Sequence, residues 1–139
     1  MAVEQTLILA KPDAVRRSLA GEIVARFERR GFRLRAARIL TVDRALAEEH
    51  YAEHEAKPFF GELVEFITSG PTLAFVLEGE GVIATARTTI GATNPADAEP
   101  GSIRGDFAVA MPDNLVHGSD SAESAEREVA LWFSADELA

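Results

Sequence analysis

The sequence predicts an α+β sandwich of the split-βαβ type, and three observations lead there. Apolar runs and alternating stretches are interleaved with amphipathic helical stretches in the order β-α-β-α-α-β-α-loop-β-α. The 139 residues, 47% of them hydrophobic, are enough for one sizeable core, so residues 1–139 read as a single globular domain. No repeat, low-complexity tract or linker divides the chain.

Thr6 to Lys11 (TLILAK) is a short apolar strand ending in a cation, and Pro12-Asp13 suits the first turn of a helix. From Leu19 to Arg30, Leu19, Ile23, Val24 and Phe27 form an apolar face, with Gly31 placed as the terminating residue and Arg26, Arg29 and Arg30 on the wet side. Phe32 to Val42 alternates and then changes phase through Ile39, which predicts a strand carrying a bulge or one buried on both faces. Ala45 to Glu55 reads as a helix bearing His50, Tyr51 and His54, with Tyr51 and His54 on one face at i, i+3. A second helix, Phe59 to Thr68, carries the stripe Phe59, Leu63, Phe66 and Ile67 and stops at Gly70-Pro71. Neighbouring helical residues point roughly 100° apart, so one of Phe59 and Phe60 faces solvent, where a phenyl ring is a stacking platform for a flat ligand.

Thr72 to Leu77 (TLAFVL) reads as a central strand. Gly79 to Ala84 then matches the dinucleotide pattern G-x-G-x-x-A, but a Pro/Gly-rich loop stands where the second parallel strand with its terminal acid belongs. Val82 to Ile90 is a helix with Arg87 in its last turn, and Ala92 to Phe107 is a long loop carrying Thr93 and Arg104.

The composition excludes several classes of function. There is no cysteine, which removes disulfides, thiol nucleophiles and thiolate metal sites and makes a cytoplasmic location the default. No apolar run approaches the roughly 20 residues of a membrane span, and no basic leader with an apolar core precedes the first strand. The formal net charge of −9 argues against nucleic-acid and membrane-surface partners, so a phosphate ligand must be held by local cations. Twelve of the 14 basic residues are arginine, with lysine only at 11 and 57; a GC-rich genome and a salty habitat both account for that.

Asn114 to Asp120 (NLVHGSD) is the stretch the others serve. Leu115 and Val116 deliver His117, and Gly118 places no side chain against the ring. Asp120 with Glu123 reads as a capping box opening a helix whose stripe is Ala122, Ala125, Val129, Trp132 and Phe133. His117 thus sits beside a helix N-terminus, which favours anions. Glu128 flanks that stripe, and helical side chains lean toward the N-terminus, which tips its carboxylate back toward His117. A carboxylate on one ring nitrogen fixes the tautomer and frees the other nitrogen to attack. Lys11, Arg87 and Arg104, with Thr93, are candidates to hold a polyphosphate.

These residues resemble those of nucleoside diphosphate kinases. The matching blocks are KPD (Lys11 to Asp13), GEIVARFERRGF (Gly21 to Phe32), HYAEH and KPFF between His50 and Phe60, SGP (Ser69 to Pro71), GATNPADAEPGSIRGDFA (Gly91 to Ala108) and NLVHGSDSAESAEREVALWF (Asn114 to Phe133). The resemblance implies a ferredoxin-like βαββαβ fold, with a four-stranded antiparallel sheet and an extra long loop. It implies exchange of a terminal phosphoryl group between nucleoside triphosphates, usually ATP, and nucleoside diphosphates. The route is ping-pong through a phosphohistidine, with Mg²⁺ carried by the nucleotide phosphates and no metal site on the protein. By the same resemblance His117 is the nucleophile, Glu128 orients it and Ser119 supports them. Lys11, Tyr51, Arg87, Thr93 and Arg104 contact phosphates, Lys11 and Asn114 lie near the ribose, and His54 touches the phosphate chain. Phe59 and Leu63 line the base site, with Met111 where the family commonly has valine. A homo-oligomer is implied, hexamer or tetramer; the chain ends at Ala139 without the longer extension of many members.

Two other readings differ in class. One is a nucleotide-binding regulatory module on the same fold with His117 inert, and the other an NAD-dependent oxidoreductase built on the Gly79 pattern.

Overall fold

The computed structural model describes residues 2–139. Strand β1 (Val3–Ala10) is followed by two helices, α1 (Pro12–Arg16) and α2 (Ala20–Arg30), and then strand β2 (Arg33–Leu40). Helices α3 (Arg44–His50) and α4 (Phe60–Ile67) lead into β3 (Thr72–Glu80) and α5 (Val82–Ile90). After α6 (Ile103–Phe107), β4 (Val116–Gly118) and α7 (Ala122–Trp132) complete the fold. The sheet order is β2-β3-β1-β4 and every pairing is antiparallel, as the ferredoxin-like expectation requires. Among the described residues no helix is long and apolar enough to cross a membrane.

Strand alternation divides the core in two. Ile8, Ala10, Phe75 and Leu77 point to one face and pack with Ile23 and Phe27 of α2 and with Ile83, Ala86 and Ile90 of α5. Leu7, Leu9, Ala74 and Val76 point to the other, under Ala47, Val64, Ile67, Val129 and Trp132. Because His117 pairs with Leu9, it emerges on the second face, while Val116 and Gly118 turn toward α5.

Several elements form where the local signals place them. Gly31 ends α2 at φ 106°, in the left-handed region open to glycine. The phase change in β2 is a register shift between Leu34 and Ala36, a bulge.

Others differ, each for a physical reason. The helix expected through Glu55 stops at His50, and Ala52–His54 is a 3-10 turn, so Tyr51 and His54 do not share a helical face. Arg26 is half-buried, not on the wet side; it pairs with Glu22 at 3.0 Å and Asp106 at 2.8 Å. The long loop contains a 3-10 turn (Pro95–Asp97) and α6, whose N-cap Ser102 accepts from Gly105 N–H. Gly79 lies inside β3 opposite Glu4, in an antiparallel ladder, so the dinucleotide pattern has no βαβ unit to serve. Helix α7 is capped by Ser121, which accepts from Ser124 N–H, not by Asp120, and Ala122 is exposed.

Phe27 is fully buried in the α2/α5 core and meets the Phe75 ring at 6.1 Å. Phe27→Ala is expected to lower unfolding stability by about 3–5 kcal/mol in chemical denaturation; a loss under about 1 kcal/mol would mean this face of the sheet does not carry the core.

Candidate active site

His117 lies in the middle of β4, between α7 and the end of α3. Its Nε2 is 2.9 Å from Glu128 Oε1, the contact that helix lean anticipates. Glu128 is a buried residue on an otherwise apolar face of α7. The same oxygen accepts from Ser119 Oγ at 2.8 Å, and Ser119 Oγ accepts from Leu7 N–H at 3.3 Å. Burial alone pushes the Glu128 carboxyl up. The hydrogen bond and charge of His117, then His50 and Ser119, outweigh it and hold the group at about 2. An ionised Glu128 accepts the Nε2 proton, and the lone pair of His117 therefore resides on Nδ1.

The histidine ring is steadied from its other side by His50, a buried residue at the end of α3. The two rings meet edge to face, 4.8 Å between centroids, and Tyr51 packs on His50 in the same manner. Trp132 Nε1 donates to His50 Nδ1 at 3.1 Å, so the His50 proton sits on Nε2. Burial first, and the nearby His117 next, press the His50 pKa down to about 3. His50, His117 and Glu128 have potential ligand atoms within 4.8 Å of one another. Their chemistry does not suit a cation, because the indole and a proton occupy both His50 nitrogens while Glu128 already holds Nε2 of His117.

The cations gather on the backbone that carries His117. Arg104 is buried and donates to Asn114 O (3.0 Å), Gly91 O (3.1 Å) and Val116 O (2.5 Å). Three of its five N–H groups are thereby used as a clamp. Arg87 donates to Gly118 O at 3.1 Å, so the carbonyls on both sides of His117 are held by guanidinium groups. Lys11 follows β1; its ammonium bonds Asn114 Oδ1 and lies 5.3 Å from the Phe66 ring. Burial, and then the repulsion of Arg104, lower the Lys11 pKa to about 8 against the pull of Asp13 and Asp113. Burial and the charge of Arg87 take Arg104 down to about 10. Burial, with a neighbouring guanidinium in each case, thus disfavours the charged forms of Lys11 and Arg104, a cost that an entering anion would relieve.

Asn114 is the hinge between this cluster and the loop. Its Nδ2 donates to Thr93 O at 3.0 Å and approaches Met111 Sδ at 3.4 Å. Phe59 is 43% exposed and Met111 50%, so both have apolar surface open to a ligand, while Leu63 is half-buried. His54 packs on Phe59 at 5.5 Å, and Lys57 lies 5.7 Å from the same ring. A polar cavity of about 860 Å³ takes in Arg87 and Thr93 with Arg26, Arg30, Thr89 and Ser102. A more apolar one of about 550 Å³, lined by Ile83, Ala125, Val129 and Phe133 among others, contains none of the expected site residues.

Gly118 needs a different explanation from the one its sequence position offers. A Cβ there would point away from the imidazole, to 2.7 Å from Ile90 Cδ1 and 3.3 Å from Ile8 Cδ1. From sequence, His50 and Trp132 read as helix and core residues, Asp13 as a helix-turn residue and Phe66 as part of a stripe. Their meeting depends on tertiary contacts; the only local signal was a histidine and an aspartate at element boundaries.

A ferredoxin-like sandwich that presents a carboxylate-held histidine beside a cluster of cations defines a class: phosphoryl-transfer proteins working through histidine. The comparisons narrow it. The family described as "Nucleoside diphosphate kinase" matches residues 4–138. A nucleoside diphosphate kinase of Brevibacillus brevis is 60% identical over 98% of this chain and 92% of its own. Nucleoside diphosphate kinase 1 of Spinacia oleracea is 58% identical over 94% of this chain and 88% of its own. The halophilic nucleoside diphosphate kinase of Halobacterium salinarum, solved in complex with CDP, superposes with a TM-score of 0.96 at 48% identity, covering 99% of this chain and 92% of that one. The chain belongs to the nucleoside diphosphate kinase family.

With a folded pKa near 3 against an ordinary 6.5, His50 binds its proton more readily in the unfolded chain. Its contribution to stability is complete above pH 6.5 and is lost as pH falls toward 3. Between pH 6.5 and about 5.5, above the range where Glu128 titrates in either state, wild-type unfolding free energy should fall with a slope approaching about 1.4 kcal/mol per pH unit more than in His50→Gln. Parallel pH profiles for the two proteins would contradict this placement of His50.

Proposed function

We propose that this chain exchanges the terminal phosphoryl group between nucleoside triphosphates and diphosphates in two half-reactions at His117. The observation that carries the reading is the 2.9 Å bond from Nε2 to Glu128, which leaves Nδ1 as the nucleophile. In the first half-reaction the Nδ1 lone pair attacks the γ-phosphorus, the bond to the bridging oxygen breaks and the diphosphate departs with those electrons. The ring then carries positive charge, which the ionised Glu128 stabilises. In the second, a terminal oxygen of an acceptor diphosphate attacks the same phosphorus and returns Nδ1 to its starting state.

Lys11, Arg87 and Arg104 neutralise the charge spread over the transferring group, the remaining N–H groups of Arg104 being its share. Tyr51, His54 and Thr93 complete the phosphate contacts, and Asn114 with Lys11 meets the ribose. Mg²⁺ carried by the nucleotide would screen the charge of its phosphates, with no side chain of this chain assigned to hold it. The base stacks on Phe59 beside Leu63 and Met111; stacking reads no hydrogen-bond edge, so purine and pyrimidine nucleotides are accepted alike. The chain works as one domain, and as a homo-oligomer in the cytoplasm. Edge strand β2, with Ile39 63% exposed and Leu34 38%, supports self-association.

Incubation with γ-labelled ATP is expected to leave an acid-labile, alkali-stable label on the wild type, discharged by added diphosphate and absent from His117→Ala. ATP binding without labelling would instead make the chain a nucleotide-binding module. Glu128→Gln should slow phosphorylation about 10–100-fold, by analogy with other partners that orient a functional imidazole; unchanged single-turnover kinetics would remove Glu128 from the mechanism.

A further inference from the structure

The chain makes a strained reversal two residues before the nucleophile. Leu115 is fully buried and has φ 70°, in the left-handed region that a residue with a side chain rarely enters. Val116 N–H closes back onto Asn114 O at 2.8 Å, so residues 114–116 form a three-residue γ-turn of the disfavoured hand. Such a conformation persists only where its surroundings over-determine it.

The surroundings can be accounted for group by group. Asn114 O accepts from Arg104 Nε as well as from Val116, and Val116 O accepts from Arg104 Nη2. Leu115 O accepts from Lys11 N–H at 2.8 Å. That leaves the amide of Leu115 itself, and its acceptor is Asp13 Oδ2 at 3.0 Å. Asp13 stands in the first turn of α1, 4% exposed, directly after Lys11 and Pro12. Its other oxygen is buried with no hydrogen-bond partner, so the carboxylate is committed to the turn. The phosphate cluster and the turn therefore have separate attachments to the same segment. Arg104 and Lys11 hold carbonyls, which ordinary extended backbone would also offer them, whereas Asp13 holds the one N–H that the left-handed residue redirects.

We propose that Asp13 is a positioning residue for phosphoryl transfer: by accepting the Leu115 amide it holds the left-handed turn that fixes the entry of β4, and with it the direction in which His117 Nδ1 meets phosphorus. This rests on His117 being the nucleophile. If the carboxylate is removed, the buried Leu115 amide has no acceptor, and rotating the strained peptide is its way out. Because His117 follows after a single residue, that rotation displaces the ring, while the nucleotide-facing side chains of Lys11, Phe59 and Met111 stay on their own elements.

Single-turnover labelling of His117 by ATP, followed across ATP concentration, tests this on full-length wild type, Asp13→Ala and Asp13→Asn, with folded protein counted by circular dichroism. Asp13→Ala is expected to lose about 10–100-fold in maximal rate while its half-saturating ATP concentration moves less than about threefold. Asp13→Asn keeps an oxygen for the Leu115 amide and is expected to recover most of that rate. Asp13→Ala labelling at the wild-type rate, a defect confined to half-saturation, or Asp13→Asn as slow as Asp13→Ala would each overturn the proposal. If Asp13→Ala does not fold, Asp13→Asn decides against wild type: a rate within about fivefold supports the positioning role, and a loss on the scale expected for alanine overturns it. A wild type that takes no label at His117 overturns the phosphohistidine reading instead.

Discussion

The bond between His117 Nε2 and Glu128 is the constraint on which the rest of the site depends. A lone imidazole in water exchanges tautomers and turns about its side-chain torsions; neither freedom is compatible with in-line attack on phosphorus. Glu128 removes both, and it does so from a buried position where an ionised carboxylate is costly. The cost is offset locally by the Ser119 hydroxyl, which the amide of Leu7 orients, and by the imidazole proton. Sheet and helix meet here for a reason visible in the register. His117 pairs with Leu9 on the face covered by α7, so the strand that carries His117 and the helix that carries Glu128 are fixed against one core.

Charge in the site is arranged in the opposite sense. Arg104, Arg87 and Lys11 are seated on backbone carbonyls and an amide oxygen. Dipoles of that kind position cations without neutralising them. Burial first, and a neighbouring guanidinium next, lower the pKa values of Lys11 and Arg104, so the cluster stays costly until an anion enters. On a chain of net charge −9 this is a local inversion of sign, and it concentrates attraction for a polyphosphate where the histidine waits. The strained turn at Leu115 belongs to the same economy: backbone that is unfavourable by itself is kept by the groups that the site needs in place.

Most of the fold could be read from local signals because local physics decides it. The stripe from Leu19 to Phe27 with Gly31 behind it, the bulge in the β2 alternation and the apolar run of β3 each announce themselves within a few residues. The helix Ile103–Phe107 did not, since five residues offer no period to detect, and only the Ser102 cap betrays it. Ser121 and Asp120 are equally good caps on paper, and the backbone angle at Ser121 chose between them. In the site, Glu128 was legible because helical side chains lean in a known direction. His50, Trp132 and Asp13 were not, because their hydrogen bonds span 82 and 102 residues of sequence and only the folded sheet brings them together.

One spectrum tests the central claim most directly. If Glu128 holds Nε2, the phosphoryl group can be carried only on Nδ1, and the ³¹P and ¹⁵N resonances of freshly phosphorylated protein at alkaline pH should be those of an Nδ1-phosphohistidine. An Nε2-phosphohistidine as the kinetically competent species would mean that the ring is held the other way round, and that the bond between His117 and Glu128 is not the one on which transfer depends.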